Sequence, residues 1–193
     1  CADSRFDRWR YGGQSAALND VEQLGFRIFS GKGRCTVCHL VGEQHALLAD
    51  GKFHVTGAGF AAPAGGSFVV PLAPGVQTVV THADLAPFAA NVAPDLGRFE
   101  ITLDPADRYA FKTPSLRNVA HSAPYMHDGS LATLEEVVDF YDQGGGDAPD
   151  KSEALAALRL GADEKRALVA FLRSLDGANL PMLASNSRPQ SLP

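Results

Sequence analysis

Cys35, Cys38 and His39 stand in the order Cys-Thr-Val-Cys-His, two thiols three positions apart with an imidazole immediately after them. At that spacing each thiol can add to a haem vinyl group, while the histidine is presented to the iron as its proximal ligand. The run is the attachment signature of a c-type haem. Two other chemistries use a Cys-x-x-Cys pair, a redox disulfide and half of a zinc site. A closed zinc site calls for two more well-spaced cysteines or histidines, and the one remaining cysteine is Cys1. A thioredoxin-like motif opens a helix that follows a strand, whereas the residues ahead of Cys35 read as a helix.

That helix starts after Asn19, a plausible cap, with Asp20 and Glu22 in its first turn and Val21, Leu24, Gly25 and Ile28 at i, i+3, i+4 and i+7. Gly31-Lys32-Gly33 stops it. A helix running directly into the attachment turn is the order found in class I cytochromes c. A second helix is predicted over 133–141, where Thr133 and Glu136 form a capping-box pattern. Its Leu134, Val137, Val138 and Tyr141 repeat at i, i+3, i+4 and i+7, which puts the Tyr141 phenol on the buried face before Gly144-Gly145-Gly146 ends the helix. A buried phenol needs a partner for its hydroxyl. The last helix is expected over 163–175, with Leu168, Phe171, Leu172 and Leu175 on one face and Gly177 as its stop.

Between these helices, residues 42–108 are rich in Gly, Pro and Ala. The runs Phe68-Val69-Val70 and Val76-Gln77-Thr78-Val79-Val80, separated by Pro-Gly, predict a small hairpin there. The expected architecture is mainly α: a class I cytochrome c-like helical haem domain at 18–177 carrying a loop-rich insertion over about 42–108. An inter-domain-like segment, 1–17, precedes it, and an extended tail, 178–193, follows.

At 193 residues the chain suits one domain with an elaborate insertion, and its 45% hydrophobic content is ample for a core. The formal charge of −5, with both signs scattered, gives no footprint for nucleic acid or an anionic membrane and suits a basic redox partner. No stretch approaches the roughly 18 uninterrupted apolar residues of a transmembrane helix. The most apolar run, residues 68–80, is broken by Pro71, Pro74 and Gly75. Haem is attached to thiols outside the bacterial cytoplasm, so the motif implies a periplasmic or otherwise exported protein. The chain opens on Cys1 and not Met, which predicts that something upstream has been removed. Cys1 is then either the lipid-bearing first residue of a membrane-anchored lipoprotein or an internal cysteine of a longer polypeptide.

Two further runs carry a resemblance. Phe111-Lys112-Thr113-Pro114-Ser115-Leu116-Arg117-Asn118-Val119, followed by Ala123-Pro124-Tyr125-Met126-His127-Asp128-Gly129, resembles the signature of the C-terminal haem domain of bacterial di-haem cytochrome c peroxidases. The continuation from Ala132 through Tyr141 is similar to the MauG-like branch, whose founding member oxidises tryptophans in a partner protein. The resemblance extends over residues 4–177 and is loosest across the insertion.

The family carries two haems on two cytochrome c-like domains, and this chain holds one Cys-x-x-Cys-His run. The resemblance therefore implies a second haem domain, on a missing N-terminal portion or a separate chain. Peroxide chemistry would belong to that domain, while this one passes electrons to it or stores oxidising equivalents for it, acting on a redox partner or protein substrate. A stand-alone mono-haem electron-transfer cytochrome, or a cytochrome subunit of a larger complex, is the alternative. The resemblance also implies site residues. His39 is the proximal ligand. Tyr141 stands where the MauG branch places its distal ligand, with Met126 and Met182 as alternatives. Arg117 is expected on a haem propionate or in a surface salt bridge. The carbonyls of Ser122 and Pro124 match positions that bind calcium between the two haems, a site completed by an asparagine of the other domain. His127 reads as a brace in its turn.

Overall fold

The structure, a computed structural model, describes residues 3–59, 67–73, 76–81, 84 and 95–180, with the backbone alone for 67–73. Cys1, Met182 and the tail beyond Leu180 lie outside the described residues. Five helices are seen among them: α1 (Arg5–Arg10), α2 (Asp20–Ser30), α3 (Phe99–Thr102), α4 (Leu134–Asp142) and α5 (Ala162–Arg173). No helix among the described residues is long and apolar enough to cross a membrane.

The helix ends follow local hydrogen-bond chemistry. At α2, Asn19 Oδ1 accepts from the Glu22 amide at 3.0 Å and Glu22 Oε2 accepts from the Asn19 amide at 3.0 Å. Thr133 and Glu136 make the same reciprocal pair at α4. Gly31 closes α2 by donating its amide to the Arg27 carbonyl at 2.9 Å.

The principal helix pair is α2 on α5. On α5 the predicted stripe of Leu168, Phe171, Leu172 and, just beyond the helix, Leu175 is buried. On α2 the buried face is Glu22, Gly25, Ile28 and Phe29, while Val21 is 52% exposed and Leu24 36%. The reason is the helix crossing. A Cβ on Gly25 would lie 2.0 Å from the Ala167 carbonyl oxygen and 2.7 Å from Phe171 Cβ, so the two backbones meet at Gly25 and turn Val21 and Leu24 outward.

The insertion carries the expected hairpin, β2 (Ser67–Ala73) antiparallel to β3 (Val76–Thr81). Its neck is stitched by a second sheet, β1 (Phe53–Val55) antiparallel to β4 (Ala110–Lys112), with His54 opposite Phe111. A short three-residue strand at each end of a long loop carries too little periodicity to read from sequence. Beyond the neck, Gly146 donates its amide to the Thr56 carbonyl at 2.9 Å. The two backbones are so close there that a Cβ on Gly57 would fall 2.5 Å from the Gly146 carbonyl carbon.

The segment 3–11, expected as an inter-domain-like stretch, packs into this core. Phe6 is fully buried, with its ring 5.4 Å from Phe171 and from Phe26, and its amide donates to the Ser174 carbonyl. Asp7, 4% exposed, forms a bidentate pair with Arg117, Nη1 to Oδ2 at 2.5 Å and Nη2 to Oδ1 at 2.8 Å. Burial alone would raise the Asp7 carboxyl, but hydrogen bonds from Arg117 and Ser4 and the guanidinium charge outweigh it and hold the group below its ordinary 3.8.

Two predictions follow from these contacts. Gly25→Ala should destabilise the intact protein by about 3 kcal/mol in urea unfolding, because backbone and not a mobile side chain must give way. Asp7→Asn should cost about 3 kcal/mol at neutral pH by leaving the part-buried Arg117 charge without its carboxylate. A depressed carboxyl contributes its stability above its unfolded value and loses it as pH falls through the folded one, so the gap between wild type and Asp7→Asn should close below about pH 3.8. Unfolding curves taken from neutral pH down to 3 check this.

Candidate haem site

The attachment turn is shaped before any side chain is considered. Gly33 donates to the Ile28 carbonyl at 2.7 Å as α2 ends, Arg34 takes a left-handed conformation with φ 54°, and Cys35–Val37 form a 3₁₀ turn. The His39 amide closes on the Cys35 carbonyl at 2.9 Å, which places Cys35, Cys38 and His39 on one compact loop. Both thiols are free. Burial pushes Cys35 up to about 12. Burial and then the nearby Asp50 carboxylate raise Cys38. Both groups therefore stand as neutral thiols at physiological pH.

The imidazole of His39 is oriented from outside the motif. Its Nδ1 is 2.8 Å from the Leu48 carbonyl oxygen, a bond in which Nδ1 carries the proton and donates, leaving the Nε2 lone pair for a metal. Burial lowers the His39 pKa against the opposing pull of the Leu48 bond and Asp50, so the ring is neutral, as an iron ligand must be. Leu48 is fully buried and holds φ 54°, and its amide donates to the Leu40 carbonyl at 3.1 Å. The loop from Leu40 to Leu48 thus returns its own carbonyl to the histidine that precedes it.

That loop is gripped by the 115–117 segment. Ser115 Oγ donates to the Leu47 carbonyl at 2.9 Å, and Arg117 donates to the Ala46 carbonyl from Nε at 3.2 Å and Nη2 at 2.7 Å. With Nη1 also reaching Ser4 Oγ at 3.3 Å, all five N–H groups of Arg117 are engaged by Asp7, Ser4 and Ala46. Arg117 was expected on a propionate or in a surface pair. Its fork is instead taken by a buried carboxylate, and no donor is left over for a propionate in this arrangement.

Tyr141 lies on the inner face of α4, following buried Leu134 and Val138. Its ring meets Phe140 edge-on at 5.1 Å. Burial first, then the charges that Cys38 and Cys35 carry when ionised, push the phenol up to about 12. The fold has thus brought Tyr141 within electrostatic reach of both attachment cysteines. The side chain is half-buried. Two neutral thiols, a neutral imidazole oriented through Nδ1 and a neutral phenol within electrostatic reach of the thiols fit a covalently held iron porphyrin.

Met126 sits half-buried at φ 69° in its own turn, where its carbonyl accepts from the Gly129 amide at 3.4 Å. The ring of His127 is held by stacking on Phe111, with centroids 3.5 Å apart. Ser122 and Pro124 are exposed, and neither carbonyl accepts a hydrogen bond among the described residues. Sequence reasoning missed Leu48, Asp50 and His54. The Cys38, Asp50 and His54 donor atoms all lie within 4.8 Å of one another. Nothing local to these three residues marks them, because a loop and a strand pairing bring them to the motif.

No family model matches the chain. It is 40% identical over 181 residues to a cytochrome-c peroxidase, IdrP2, of Denitromonas iodatirespirans, covering 89% of this chain and 44% of that protein. It is 35% identical over 175 residues to the methylamine utilization protein MauG of Methylorubrum extorquens, covering 90% of this chain and 39% of that protein. Among solved structures, a MauG-like protein associated with microbial copper homeostasis superposes with a TM-score of 0.67 at 34% identity, covering 93% of this chain and 53% of that one. The chain spans less than half the length of the curated relatives it matches. By sequence and by fold, it belongs to the family of di-haem cytochrome c peroxidases and MauG.

Proposed function

We propose that this chain is the C-terminal, MauG-like haem half of a di-haem oxidoreductase, with a class I cytochrome c-like helical core. The observation that carries the reading is the Cys35–Cys38 turn with the His39 imidazole oriented on the Leu48 carbonyl, and the Tyr141 phenol within electrostatic reach of both cysteines. Cys35 and Cys38 attach the haem as thioethers, each S–H adding across one vinyl double bond. His39 would hold the iron through Nε2, with its Nδ1 proton on the Leu48 carbonyl. Tyr141 would serve as a second ligand on losing its proton, a loss that a cation must compensate because the free phenol stays protonated to about 12.

The haem supplies one-electron redox chemistry. The chain supplies its potential: a phenolate and a neutral imidazole favour ferric iron, whereas a methionine thioether favours ferrous. A low-potential site of this kind passes electrons to, or stores oxidising equivalents for, a peroxide-reactive haem on the other half of the protein. The length of the relatives, more than twice the matched region, supports that second half. The electrons come from a redox partner or from side chains of a protein substrate, outside the cytoplasm where haem is attached. The free carbonyls of Ser122 and Pro124 are available to a calcium ion completed by the other half.

Intact mass with haem quantification on the natively isolated protein, including copurifying chains, tests the assignment. Two haems on one polypeptide or complex are expected, and a single haem on a lone chain of this length would favour a simple electron carrier. In the haem-loaded protein, Tyr141→Phe should change the ferric absorption and electron paramagnetic resonance spectra and raise the midpoint potential; unchanged spectra would remove Tyr141 as the ligand. Cys35→Ser combined with Cys38→Ser should abolish haem that survives acid-acetone extraction and lower thermal stability, because a domain this rich in loops uses the macrocycle as core.

A further inference from the structure

We infer that Asp50 is the charge-setting residue of this haem centre: a buried carboxylate fixed against the Cys38 attachment sulfur, where it holds the iron toward its ferric form. The inference rests on the haem reading above and goes beyond it, since it concerns a residue outside the attachment motif and the family signature.

Three elements fix the carboxylate. His54, on β1, has its Nε2 2.7 Å from Asp50 Oδ2. The Lys52 amide donates to Oδ1 at 2.9 Å, and the side chain of Thr113, just past β4, further favours the ionised carboxylate. The Asp50 side chain is 5% exposed, and its oxygen lies within 4.8 Å of Cys38 Sγ. An isolated carboxylate in such a place would protonate, but these bonds outweigh burial and keep it ionised.

With a free thiol, Cys38, Asp50 and His54 are three donors close enough for one transition metal. Thioether formation replaces the Cys38 S–H by an S–C bond, which removes the thiolate and leaves the carboxylate beside the macrocycle. A nearby anion stabilises Fe(III) over Fe(II), the more so where solvent is excluded. Lys52, the opposing charge that acts on Cys38, is exposed and therefore screened. Asp50 acts in the same direction as the Tyr141 phenolate, one through space and the other by coordination.

The test is a spectroelectrochemical titration of haem-loaded wild type, Asp50→Asn and Asp50→Glu, each first assayed for covalent haem as the pyridine haemochrome. Asp50→Asn should shift the ferric/ferrous ratio about tenfold toward ferrous at fixed potential, about 59 mV for a one-electron couple, with the ferric paramagnetic resonance signature unchanged. Asp50→Glu, which keeps the charge, should return most of the shift. Should asparagine block haem loading, Asp50→Ser, which can bond the Lys52 amide in the same way, carries the same expectation. An Asp50→Asn midpoint equal to wild type overturns the inference, as does a shift accompanied by a changed ligand signature. Wild type without covalent haem overturns the haem reading itself.

Discussion

Arg117 lies beneath the N-terminal segment with both arms of its fork on the Asp7 carboxylate, and the geometry of the site depends on that pairing. A guanidinium largely withdrawn from water is tolerated best when its charge and its N–H groups are satisfied. Asp7 and Ser4 satisfy part of it from α1, and the Ala46 carbonyl satisfies the rest. The same demand therefore docks the N-terminal segment and pins the loop that follows the attachment motif. Two residues further along that loop, the Leu48 carbonyl takes the His39 proton. The orientation of the His39 imidazole is thus maintained by an ion pair that does not touch the histidine.

The electrostatics of the interior point one way. His39 is kept neutral by burial, the cysteines by burial and a neighbouring anion, and Tyr141 by burial. Asp50, like Asp7, is held as an anion, Asp50 at about 2, because its hydrogen bonds outweigh its desolvation. Neutral donors beside held carboxylates make a setting that favours a cation.

The helices were legible because their signals are local. Thr133 with Glu136 and Asn19 with Glu22 are caps three residues apart, and the i, i+4, i+7 spacing that turns Tyr141 inward is a property of α4 alone. The buried face of α2 was legible only in part. Apolarity favoured Val21 and Leu24, but the closeness of two backbones at Gly25 chose a different face. Hydrophobicity counts side chains and gives no weight to a glycine whose value is the absence of one.

The amino-acid sequence alone determined the haem motif, the helix preceding it, the hairpin at 67–81 and the family resemblance, since each is written in residues a few positions apart. The tertiary structure alone decided which imidazole nitrogen is free, where Arg117 sends its five N–H groups and that Asp50 and His54 reach Cys38. Those outcomes depend on contacts such as Arg117 with Asp7, 110 positions apart. Only the closing of the chain on a shared core brings such groups within hydrogen-bonding distance, and only there does water leave so that their charges matter.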